Sequence, residues 1–163
     1  MRCLIAAALV LGSVAARPEP VRLEGRFGAA TVDTDRPALT ELRLRAPDGT
    51  LELRSLLSPP DVPWLRDAPA WATQAGTYAM DASGKRWESR LGGPARVERR
   101  GAALRVTGVR LSDGSGAMPV AEETWTLVPA GDELLWTVER RWLRACDVRL
   151  AGTPSLFFTN RPW

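Results

Sequence analysis

The stretch Glu122–Trp142, EETWTLVPAGDELLWTVERRW, carries three of the chain's seven tryptophans and reads as two strands around a turn. In its second half Leu134, Trp136, Val138 and Trp142 share one parity, with Arg140 as the polar member. Glu133, Thr137, Glu139 and Arg141 take the other parity, joined by Leu135. Alternation of this kind is the mark of a pleated strand with one face on a core, and it predicts that Trp136 and Trp142 point inward. In the first half Trp125 shares parity with Leu127 and Glu123, which makes Trp125 a core residue as well. The indoles are therefore expected to pack a hairpin rather than to form a sugar-stacking platform.

Outward from the hairpin, two-residue alternation continues and helical periodicity is nearly absent. LELRSLL sets Leu51, Leu53, Ser55 and Leu57 on one face. In ALRVTGVRL, Leu104 and Val106 share one face while Val109 and Leu111 fall on the other, and a bulge at Gly108 would bring both pairs to the core. VRLEGRF, LTELRLRA, KRWESRL and ARVERRG are further strand candidates, and Trp87 shares parity with Leu91. The turn signals APDGT, ASGK, LGGPA, SDGSGAMP and PAGD separate them. Short strands with this punctuation predict an all-β fold, an antiparallel β-sandwich in one domain over residues 17–163.

The segment Ser58–Gly84 breaks the pattern with Pro59, Pro60, Pro63 and Pro69. It is expected to be a long loop, anchored by Trp64, Trp71 and Tyr78, with a short helical turn near APAWATQ. The chain closes on an apolar strand, SLFF, without a polar tail, as if more protein had followed.

Residues 1–16 read as a signal peptide: Met1-Arg2 is basic, CLIAAALVLGSV is apolar, and small residues precede cleavage after Ala15 or Ala16. The apolar run is shorter than the roughly 18 residues a membrane-spanning helix needs, so a membrane anchor is the weaker reading. The expected location is secreted or periplasmic, with no membrane segment after cleavage. Cys3 precedes the apolar run and does not suit lipid attachment; Cys146 then has no disulfide partner and is expected to be a buried, inert thiol.

The formal net charge is +3, yet Arg alternates with Asp and Glu along the strands without a basic block, which argues against a nucleic-acid partner. The chain contains no histidine, so His-dependent nucleophilic triads and imidazole metal sites are excluded, and no metal or cofactor is expected. Carboxylate chemistry needs only a pair of acids, and Glu122, Glu123, Glu139, Asp61 and Asp67 are available, with surface solvation as the default. Trp64 and Trp71 have no strand face to fill. Together with Arg66 and Asp61 they are the candidate carbohydrate contacts, since an indole stacks on a sugar ring while Arg or Asp fixes its hydroxyls. The bland alternative is that these indoles staple the loop to the sheet.

The order VAEETWTLVPAGDELLWTVERRWLR…GTPSLFF, over Val120–Phe158, resembles the N-terminal β-sandwich (supersandwich) domain of secreted bacterial glycosidases whose catalytic part is a six-hairpin (α/α)6 barrel. The resemblance implies an accessory domain that packs against a catalytic domain carrying the acids, or a truncated piece of such an enzyme. The functional expectation is a non-catalytic module that binds carbohydrate or supports a glycoside hydrolase catalytic domain. A small carboxylate-dependent, glycan-active enzyme and a periplasmic structural protein without a sugar ligand are the alternatives.

Overall fold

The computed structural model describes residues 19–46, 48, 52–55, 76–152 and 158–159, with the backbone alone for 52–55 and 158–159. The described residues form strands and turns, and every strand pairing among them is antiparallel. The expected signal peptide and the four candidate contacts Asp61, Trp64, Arg66 and Trp71 lie outside the described residues, as does the helical turn near APAWATQ.

The described strands form three sheets. The first combines β1 (Val21–Gly25), β2 (Gly28–Asp33), β3 (Ala38–Arg45), β4 (Glu52–Ser55) and β12 (Phe158–Thr159), in that order. Phe158, the last residue of SLFF, stands opposite Ser55, and Thr159 stands opposite Arg54. The second sheet runs β10 (Glu133–Trp142), β9 (Ala121–Ala130), β8 (Ala103–Leu111), β7 (Arg96–Arg100). The third is smaller: β11 (Val148–Gly152), β5 (Tyr78–Asp81), β6 (Arg86–Glu88).

The opening stretch is the β9–β10 hairpin, in continuous register from Ala130↔Glu133 to Ala121↔Trp142. Gly131, at φ 62°, is the first residue of the two-residue loop, the position where a hairpin turn requires the left-handed region. The bulge expected in β8 is present: register shifts between Val106 and Val109, and Gly108 has φ 71°. Leu104, Val106, Val109 and Leu111 are consequently all buried.

Leu23, Phe27, Ala30, Val32, Leu39 and Leu42 from the first sheet meet Leu104, Val106, Val109, Trp125 and Leu127 from the second in one cluster. Leu134, Trp136 and Val138 pack at its margin. Trp125 and Trp136 meet edge to face, with ring centroids 5.4 Å apart. A second cluster joins Ala79 and Trp87 of the small sheet to Leu111, Val120 and Ala121. Cys146 packs against it half-buried, less enclosed than expected.

Three expectations fail for definite reasons. Trp142 is 43% exposed despite its inward parity, although Ala121 opposite it is fully buried in the second cluster: its indole lies beside the Arg140 guanidinium, 5.4 Å from ring centroid to guanidinium carbon, and belongs to neither cluster. Leu91 is exposed because the strand stops at Glu88 and residues Ser89–Leu91 form a 3-10 turn, which ends the two-residue alternation. The irregular segment is too long as drawn. Its end, Tyr78–Asp81, is a strand held between β6 and β11.

Candidate functional site

Glu123, on β9, keeps the inward parity that its sequence neighbours Trp125 and Leu127 announce, and its residue is only 1% exposed. It is not the solvated surface acid expected. Burying a carboxylate is tolerable only if the charge is paired and the lone pairs are used. Both conditions are met. Arg140 Nε donates to Oε1 at 2.6 Å, while Thr77 Oγ1 at 2.5 Å and Trp125 Nε1 at 2.7 Å donate to Oε2. The ion pair is a direct cross-strand pair, Arg140 standing opposite Glu123 in the hairpin.

Thr77 enters from the residue before β5 and is itself fully buried. Its backbone N–H donates to Ser89 Oγ at 3.1 Å, and Ser89 Oγ donates to the Pro37 carbonyl at 2.6 Å. Ser89 N–H closes a loop onto the Thr77 carbonyl at 3.0 Å. A buried polar chain therefore runs from Pro37, in the β2–β3 turn, through Ser89 and Thr77 to Glu123 and Arg140. It touches all three sheets. With Arg140, Thr77 and Trp125 all donating to it, the Glu123 carboxylate has the geometry of a structural anchor between the hairpin and the residue before β5.

The far side of Arg140 faces a groove of about 380 Å³ lined by Val138, Arg140, Ala151 and Gly152. Arg140 Nη2 lies 3.4 Å from the Tyr78 carbonyl, and the guanidinium carbon is 5.4 Å from the centroid of the exposed Trp142 ring. On the β11 side Gly152 lets the Tyr78 ring lie close, since an added Cβ would fall 2.7 Å from Tyr78 Cζ and the ring would have to shift. The other face of this region carries Arg86, whose guanidinium carbon lies 4.2 Å from the Tyr78 ring centroid and whose Nε is 2.9 Å from Glu88 Oε1. Burial lowers the Arg86 pKa from its usual value, against the opposing influence of Glu88 and Tyr78. An oriented guanidinium beside an exposed indole can donate to hydroxyl or carboxylate oxygens while an apolar ring face rests on the indole.

A larger depression of about 660 Å³ opens where Asp35 and Arg36 approach Glu88, Arg90 and Leu91. Among the described residues no three His, Cys, Asp or Glu side chains converge as a metal site would require. No described helix is long and apolar enough to cross a membrane.

No protein-family model, no curated protein and no solved structure matches this chain. The site must therefore be read from its own chemistry. Sequence reasoning placed Glu123 and Arg140 on inward parities; those parities were the signal that the two would meet. Thr77 offered no comparable signal, since it lies in the segment read as an irregular loop.

Proposed function

We propose that this chain is an exported, non-catalytic β-sandwich module, akin to the sandwich domain of secreted glycosidases, that binds carbohydrate. The observation that carries this reading is the groove beside Arg140 and Trp142. There a charged donor fork is held in place by a buried carboxylate next to a 43% exposed indole. The enclosure of Glu123 by three donors supports binding over carboxylate catalysis, because an acid or base must reach its substrate. Trp64, Trp71, Arg66 and Asp61 are the second set of candidate contacts, and support of a separate glycosidase catalytic domain is the companion role.

Affinity electrophoresis of the purified protein through a panel of neutral and acidic polysaccharides tests the proposal. Retardation by at least one glycan is expected. Trp142→Ala abolishes it if the groove holds the sugar, whereas a Trp64→Ala, Trp71→Ala double variant abolishes it if the loop does. Unchanged mobility with every glycan would overturn the binding role, and turnover of chromogenic glycosides would overturn the non-catalytic one.

A further inference from the structure

The β10 strand borders the second sheet, and among the described residues no strand pairs with its outer edge. It runs for ten residues without proline, lysine or a register break, and its charges, Glu133, Glu139, Arg140 and Arg141, are of both signs, so they can discriminate between partners rather than simply repel them. In a two-residue hairpin the closing pair Ala130–Glu133 exchanges hydrogen bonds, and partners alternate from there. The backbone groups of Leu134, Trp136, Val138 and Arg140 then face outward. The bond from Leu143 N–H to the Val120 carbonyl, 2.9 Å, fits the same alternation.

Charge is distributed unevenly along this edge. Glu133 stands exposed at its start and makes no ion pair among the described residues, while Arg141 stands exposed near its end. We propose that β10 pairs with β10 of a second copy, antiparallel, about a two-fold axis at Thr137. In that register Glu133 faces Arg141 of the second copy, and the symmetry repeats the contact. These are non-hydrogen-bonded pairs, where opposed side chains lie closest. Thr137 meets its own counterpart, a favourable hydroxyl pair on the exposed face. Inside, Trp136 faces Val138 of the second copy, which extends cover over side chains at the margin of the core.

Neighbouring registers are worse. The chosen register also sets Leu135 against Glu139 and Leu134 against Arg140, so the Glu133–Arg141 pairs decide it: moving the axis to Trp136 sets Glu133 against Glu139, like against like, and moving it to Val138 gives up both ion pairs. The two four-stranded sheets join into one continuous sheet in the chosen arrangement.

The test is sedimentation and native mass spectrometry between about 1 μM and about 1 mM, the range of weak to moderate association. The wild type is expected to dimerise reversibly. Glu133→Arg and Arg141→Glu each place like charges at both ends of the pairing, and each is expected to weaken dimerisation by about tenfold or more. Mixed in equal amounts, the two variants regain complementary ends. A heterodimer should then predominate, recognised by its intermediate mass. Because Arg141 also contacts Glu122, Thr137→Lys serves as the independent variant: it is exposed in the monomer and sets two ammonium groups at the axis. A wild type that stays monomeric throughout overturns the proposal. So does a dimer indifferent to these substitutions, or a mixture that yields no excess of heterodimer.

Discussion

Arg140 Nε lies 2.6 Å from Glu123 Oε1 inside the hairpin, and the Glu123 side chain is wholly buried while that of Arg140 is 16% exposed. Removing one partner strands the other charge, so Arg140→Ala is expected to cost about 3–5 kcal/mol of unfolding free energy. Replacing both, as Glu123→Leu with Arg140→Met, should cost clearly less than the two single losses combined. Urea denaturation of the wild type, Glu123→Leu, Arg140→Met and the double variant closes a double-mutant cycle, and additive losses would refute the coupling.

Thr77 ties the small sheet to this pair through its hydroxyl alone. Thr77→Val keeps the shape and removes the donor, for an expected loss of about 1–3 kcal/mol. Thr77→Ser should retain most of the stability. Thermal melts of the three proteins decide it; equal melting of Val and Ser variants would mean the bond contributes nothing.

The two glycines at 28 and 108 should respond differently to alanine. At Gly108 nothing lies within 4 Å of an added Cβ, so only the left-handed backbone at φ 71° is penalised, about 1–2 kcal/mol. At Gly28 the Cβ would fall 2.1 Å from the Arg43 carbonyl oxygen, with φ at 123°. Gly28→Ala is expected to prevent folding or to break the β2–β3 pairing. Expression and circular dichroism distinguish the two, and a well-folded Gly28→Ala protein would contradict the strand packing.

Acid should act through Asp113 and Asp81. Lys85 and Ser115 hydrogen bonds hold the Asp113 carboxyl far below its usual value near 3.8. Ser83, with Lys85, lowers that of Asp81 more modestly. A carboxyl whose pKa is depressed by folding adds stability fully above its unfolded value and loses it as pH falls toward the folded one. The melting-temperature gap between wild type and Asp113→Asn should therefore be widest above about pH 5 and shrink steadily toward pH 2. A gap that is constant across this range would mean that the Asp113 contacts contribute no proton-linked stability.

Much of the fold was legible because its causes are local. Alternation in ELLWTVERRW, the Gly-Asp loop and the glycine at 108 are set by backbone sterics and side-chain period, which neighbours in sequence share. The strand Gly28–Asp33, GAATVD, escaped because its small residues alternate weakly, and only its place between β1 and β3 makes it a strand. The strand Tyr78–Asp81 escaped because the prolines upstream coloured the whole segment as loop.

The amino-acid sequence by itself determined an all-β antiparallel architecture, the hairpin at its centre, the bulge and the burial of Trp125, since each follows from periodicity and turn chemistry. It also determined that histidine chemistry is absent. Only the tertiary structure decided that Glu123 is a buried anchor, that Thr77 reaches it from 46 residues away, and that Trp142 stands in solvent. Those outcomes depend on which sheet faces cover one another and where the cover ends, and residue order along one strand carries no record of that.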